Sequence, residues 1–357
     1  MNAAPATPSA QPATTAPALA QQARERWKYS RLEQFRSALE QTAGSSPIAV
    51  AKGLEQNNQP FAAEVVESLH PPAQVYPLLA DVHDAAQGAS WLTVARDTHA
   101  CLVLDRPAGA NVLYLDVGPG AVLELNQSLA ADGPSHQCIY IRAGANSRLR
   151  IESAIIDQPH LSFSFIGCDL GEGARLDSHR YLFGGGQHRV ESRVRLTGSL
   201  AHAELTSACL AAAGGQFDQQ VTLEHVAPQA TSNQRFHCVA DASCRSTFNG
   251  RILIHPKAPG TRADLTNRNL MLAESAEINA KPELEIYTDD VQCSHGSTVG
   301  QLDDDALFYL KSRGIAGAQA RKLLITAFLE RCLDGAGADT ARAALQRHLN
   351  AGHGETS

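Results

Sequence analysis

No Cys-x-x-Cys pair occurs among the eight cysteines of this 357-residue chain, which excludes zinc-ribbon and thioredoxin-like readings. A Walker A segment to hold nucleotide phosphates is missing, and so are GxSxG, HExxH and GxGxxG. These absences count only weakly against an autonomous enzyme, because many active sites carry no short motif. No apolar run approaches the roughly 20 residues of a membrane-spanning helix. The formal net charge of −7 supplies no basic field for nucleic acid or anionic lipid. Residues 1–22 carry no charged side chain, so they have neither the basic start of a secretion signal nor the arginines of an organellar transit peptide. They read as a disordered Ala/Pro/Thr-rich tail. With no secretion signal, the cysteines are expected to be reduced thiols in a cytoplasmic protein, most of them core residues.

Hairpin turns are also scarce. Asn249-Gly250 and Asp132-Gly133 are the two short hairpin signals. What is present is a long series of short β-like runs from about Thr98 to Thr298, among them "VLYLDV", "QCIYIRA", "LSFSFIGCDL" and "GRILIHP". Small-residue corners such as Gly118-Pro119-Gly120-Ala121, Gly144-Ala145 and Gly171-Glu172-Gly173-Ala174 separate them, about every 24 to 29 residues. Regular corners without tight hairpins favour a β-solenoid, with a sandwich as its rival. "FGGGQH", Phe183–His188, is a loop or coil corner in this reading.

Helical patterns flank the β region. Residues 23–97 form an N-terminal helical region, with one helix beginning near Arg24 and shorter ones around "AAEVVESL" and "VYPLLADVHDAAQ". The β core then covers 98–300. In the C-terminal region, 301–350, Asp303 caps a first helix that Gly314 ends. A second helix turns Ala320, Leu323, Leu324, Ala327 and Phe328 to one face, and a weaker third follows.

The stretch "EIYTDDVQCSHGSTVG", Glu285–Gly300, holds the residues with chemistry. On a strand Cys293 and His295 point to the same side, about 7 Å apart at Cα for a rise of about 3.3 Å per residue. A thiolate and an imidazole suit iron, zinc or an iron–sulfur cluster. Two ligands do not complete a site, so the rest would come from distant coils or another chain. A buried thiol beside a hydrogen-bonded histidine, or a Cys–His nucleophile pair without a visible oxyanion hole, remain alternatives. Asp289 and Asp290 read as a solvated turn, and His225, His237 and His255 as core or surface histidines.

The segment Lys281–Ile315 closely resembles the signature of the SufD family of the SUF iron–sulfur cluster assembly machinery. The matching elements are "KPELEIY", "DDVQCSHGSTVG" and "LFYLKSRGI", with "ARKLLITAFLE" and Trp27-Lys28-Tyr29-Ser30 continuing the likeness. The resemblance implies a right-handed parallel β-helix flanked by helices. It implies a non-catalytic scaffold in a complex with a SufB-like paralogue and the SufC ATPase. By that motif, His295 is the residue implicated in nascent cluster formation at the SufB–SufD interface, with Cys293 beside it. The helical segment after Gly300 is where the family docks SufC, with Leu302, Leu307, Phe308, Tyr309, Leu310, Arg313 and Gly314 as candidate contacts. No cofactor is expected on the isolated chain. A transient iron–sulfur cluster would sit at the interface, and whether the full complex carries a flavin is open. The alternatives are a homodimeric scaffold acting without SufB and a carbohydrate-active solenoid enzyme.

Overall fold

The computed structural model describes residues 21, 23–40, 53–57, 59–72, 75–86, 88–105, 108–129 and 132–351. Apart from Gln21, the expected N-terminal tail lies outside them.

The β-like runs form seventeen strands. The first nine are β1 (Glu55–Asn57), β2 (Ser90–Val94), β3 (His99–Asp105), β4 (Gly109–Val117), β5 (Val122–Ser128), β6 (Ser135–Ala143), β7 (Arg148–Ile156), β8 (Ser162–Leu170) and β9 (Arg175–Gly184). Then come β10 (Gln187–Leu196), β11 (His202–Ala211), β12 (Gln216–His225), β13 (Thr231–Ala240), β14 (Arg245–Ile254), β15 (Thr261–Met271), β16 (Glu277–Ile286) and β17 (Val291–Gly300). Even strands build one nine-stranded sheet that starts with β1, and odd strands from β3 build a facing sheet of eight. Every pairing from β2 onward is parallel and in register, so each coil of the solenoid uses one strand from each sheet. The rise per coil costs 23 residues where His99 pairs with Val122 and 32 where Arg245 pairs with Glu277. The first coil opens at Ser90, ahead of the expected boundary near Thr98.

The corners explain the small-residue signal. Where each even strand from β2 to β14 turns into the next odd one, a single residue takes positive φ: Asp97, Gly120, Asn146, Gly173, Leu200, Gln229 and Gly260, with φ from 55° to 72°. Each donates its backbone N–H to a carbonyl of the following corner, from Asp97 on Pro119 to Gly260 on Asp290. Three of the seven are glycine, and at the other four the stacked hydrogen bonds accompany a modest left-handed strain. Short alternating strands then project every second residue into the lumen. Leu102, Leu115, Leu125, Ile141, Leu196 and Leu223 are fully buried there.

Helices cover both outer faces. On the even sheet, α1 (Leu32–Glu40), α2 (Ala63–Leu69) and α3 (Pro77–Ala86) set Phe35, Leu78 and Val82 against Tyr114, Tyr140 and Phe165. On the odd sheet, α5 (Gly317–Glu330) and α6 (Ala338–Ala351) set Ile325, Leu329 and Leu345 against Tyr181, Phe183 and Leu210. Between them α4 (Asp304–Ser312) stands off with no buried residue.

Two local expectations need correction. The single helix from Arg24 breaks at Trp27–Ser30. There Arg26 reaches Glu191 at 2.6 Å, Arg189 stacks 3.8 Å over the Trp27 ring and the Ser30 hydroxyl donates to Asp218. These contacts join residues more than 150 positions apart, so local periodicity does not contain them. In α5 the buried face runs through Ala320, Ile325 and Leu329, while Leu323 and Ala327 are exposed. That helix is apolar on several sides, and the sheet beneath selects which side is covered.

Candidate functional site at the open end

The two ends of the solenoid are built differently. At the first coil, β1 pairs antiparallel along the outer edge of β2. Gly53, at φ +86°, brings the chain so close to the start of β3 that an added Cβ would lie 2.4 Å from the His99 carbonyl oxygen. At the last coil, β16 and β17 have no strand on their outer edges among the described residues. No residue of either strand is buried.

His295 and Cys293 lie on this last coil. Register pairs His295 with Leu265 and Cys293 with Ala263, both lumen residues, so the two side chains project to the lumen side of β17. Cys293 is half-buried against the core, and His295 is exposed. Burial pushes the Cys293 thiol up, and Asp264 adds to this against an opposing backbone hydrogen bond near Ala263. The thiol is therefore not an activated nucleophile as it stands. Around the pair the end face is largely apolar, with Ile278, Leu284, Ile286, Val291 and Val299 half-buried or exposed. Asp289 and Asp290 form the bend between β16 and β17, both exposed, and Asp290 closes the ladder of corners through its carbonyl. Among the described residues no group of three or more His, Cys, Asp or Glu could hold a metal ion. A cluster at this end would take its remaining donors from elsewhere.

The helical candidates follow directly. Asp303 caps α4, its carboxylate accepting from the N–H groups of Asp305 and Ala306 at 2.9 and 3.1 Å. Gly314, at φ +84°, ends it: Ile315 N–H donates to Leu310 and Gly314 N–H to Lys311, a Schellman closure. Phe308 and Tyr309 are 74% and 58% exposed, large values for aromatic side chains. Arg313 lies 5.3 Å over the Tyr309 ring. Leu307 and Leu310 are half-buried, and Leu302 packs against the layer beneath α5 and α6.

The histidines singled out in the β region have structural partners. His225 is buried and bonded to Ser232, and His237 contacts the Phe328 carbonyl of α5 at 2.7 Å. A cleft of about 910 Å³ between the N-terminal segment and the even sheet was not anticipated; Arg26, Tyr76, Arg193, Glu224, Asn249 and Arg251 line it. Its acids are ion-paired: Glu224 with Arg193 at 2.7 Å, Glu285 with Arg251 at 2.7 Å, and Glu283 with Lys281. Burial alone would raise Glu224, but His255 and the arginines bring it down to about 2. A carboxylate so held is a poor proton donor, which weighs against a glycoside-cleaving cleft.

The family model for the SUF system FeS cluster assembly SufBD core domain matches residues 105–328. The iron–sulfur cluster assembly protein SufD of Escherichia coli is 36% identical over 190 residues, 53% of this chain and 45% of that protein. A SufBD family protein of Synechocystis is 45% identical over 114 residues, 32% of this chain and 25% of its own length. A third, from Mycobacterium tuberculosis, is 28% identical over 270 residues and covers 70% of this chain and 67% of the relative. The matched stretch spans less than half the length of each of the first two.

Proposed function

Since this chain belongs to the SufBD family of iron–sulfur cluster assembly proteins, we propose that it is a non-catalytic scaffold subunit whose open end meets a SufB-like chain. A nascent iron–sulfur cluster is the cargo at that junction. His295 supplies an imidazole there, as ligand or proton carrier, and Cys293 supplies a second donor or packs the interface. The observation that carries this reading is the last coil. Two strand edges with unpaired backbone groups invite strand addition by another chain. They flank a Cys–His pair too small to hold a cluster alone. The ATPase contact belongs on α4, where Phe308 and Tyr309 offer aromatic surface without partners in the fold beneath.

The test is complementation, under iron limitation, of a strain lacking the gene. His295→Ala is expected to assemble the complex normally by gel filtration yet fail to restore iron–sulfur enzyme activity. Full complementation with normal complex would reduce His295 to a structural residue. For the ATPase contact, Phe308→Asp with Tyr309→Asp is preferable to truncation after Gly300, which would uncover the apolar layer beneath α5 and α6. Retained SufC co-purification by that double variant would refute the docking assignment.

A further inference from the structure

Among the described residues three arginines are almost fully buried, and two of them have carboxylates in contact. Arg189 bonds Glu191 and Asp218, and Arg26 bonds Glu191. The third, Arg180, does not. It sits in the middle of β9, where alternation with Leu176 and Leu182 turns it into the lumen. Its exposure is 6%. Among the described residues its one hydrogen bond is from Nη2 to Ser192 Oγ across the lumen, at 2.6 Å. A guanidinium carries five N–H donors and stays charged in proteins. Burial lowers Arg180 to about 10, with no carboxylate acting against that. At neutral pH it therefore remains a buried cation.

Its neighbours are small and hydroxylic. Register places Ser153 on one side of Arg180 and Ser207 on the other. Amides extend the polar level: Gln127 pairs with Ser153, and Ser207 donates to Gln219 Oε1 at 2.8 Å. Gln127 Nε2 and both polar side-chain atoms of Gln234 are buried without partners. An uncompensated buried charge costs several kcal/mol, whereas a charge paired and hydrogen-bonded is tolerated. Ser153 donates to Gln127 Oε1 at 3.3 Å, so the neighbours of Arg180 are neutral hydroxyls and amides, and no carboxylate among the described residues contacts it.

We infer that the lumen of the solenoid holds a chloride-sized monoanion against the free N–H groups of the Arg180 guanidinium, at the level of Ser153, Ser192 and Ser207. One guanidinium matches one negative charge; a divalent anion would leave a net charge buried. The inference is independent of the cluster reading, since Arg180 lies four coils from the open end in the odd sheet.

The 357-residue chain is refolded in bromide and crystallised for anomalous diffraction. A bromide peak in contact with the Arg180 side chain is expected, and a lumen without one overturns the inference. In thermal melts at matched ionic strength, the wild-type protein is expected to melt several degrees higher in chloride than in gluconate. Arg180→Met, which replaces the cation by an apolar chain, is expected to melt at the same temperature in both salts. A wild-type transition indifferent to the salt overturns the inference as well. If Arg180→Met does not fold, the bromide peak and the wild-type melts decide.

Discussion

The first and last coils follow one repeat, yet they differ in burial, and the shorter strands are the better buried. Leu92, Val94, Ala100 and Leu102 of β2 and β3 are buried to within 1%. The residues at equivalent lumen-facing positions of β16 and β17 are half-buried or exposed. The difference lies in what covers the edge. A three-residue antiparallel strand and one tight glycine close the first coil, and nothing among the described residues closes the last. In a stacked repeat each coil is stabilised by its neighbours, so a terminal coil without a cap keeps about half of the contacts an internal one has. A closed end is a structural solution. An open one makes sense when a second molecule supplies the missing side.

The strongest way to break this contrast is to remove one leucine at each end. Leu102→Ala should cost about 2–5 kcal/mol, the range for a buried leucine that leaves a cavity. Leu284→Ala, at a half-exposed site of β16, should cost about 1 kcal/mol or less in the isolated chain. Urea midpoints of the two variants check this, and equal losses would mean that the last coil is as well packed as the first.

Acid should act next, and unevenly. Burial holds His83 on α3 and His136 under α1 down to about 4, and His188 and His225 of the lumen wall likewise. The unfolded chain takes up these protons near the ordinary histidine value of about 6.5. Stability is therefore complete above that value and falls as pH drops from about 6.5 towards 4, because the unfolded state binds more protons. The sign is opposite for Asp169, which burial raises to about 6. Its contribution is present at low pH and fades as pH rises through 6. Four histidines outweigh one aspartate, so the net expectation is a lower urea midpoint at pH 5 than at pH 7. An unchanged midpoint would show that these rings are hydrated in solution. None of the four lies on the last coil, so acid should loosen the helical layer over the even sheet before it affects β17.

Amide exchange measures the same contrast with a smaller effect. Amides on the unpaired edge of β17 should exchange orders of magnitude faster than those of β11, and a bound partner should slow them. The smallest effect belongs to His295→Ala in the isolated chain. Its ring is exposed, so the urea midpoint should move by no more than about 0.5 kcal/mol equivalent. A larger loss would place the ring in the core.

Much of this architecture is legible in the sequence because its corners repeat. The small residues at Gly118–Ala121, Gly144 and Gly171–Ala174 mark where each coil must turn left-handed, and the alternation between them assigns lumen and outer face. Parity alone places Cys293 and His295 together on one side of β17, and the structure agrees. Less legible is whatever depends on distant partners. The first coil was hidden because β2 has five residues and its cap three, too short for a periodic signal. The break at Trp27–Ser30 follows from contacts with β10 and β12. Arg180 was available to the same parity argument, since Leu176, Ser178, Arg180 and Leu182 alternate into the lumen. An arginine is usually assigned to the solvent side by habit of residue type.

The uncovered edges of β16 and β17 also bear on the life of the protein in a cell. A chain that folds with one open edge on each of two strands and an apolar end face is adhesive from the moment it folds. If, as proposed, a second chain covers this end, copies made in excess of it meet one another, a chaperone or a protease, and balanced expression of the two becomes a requirement of solubility as much as of function.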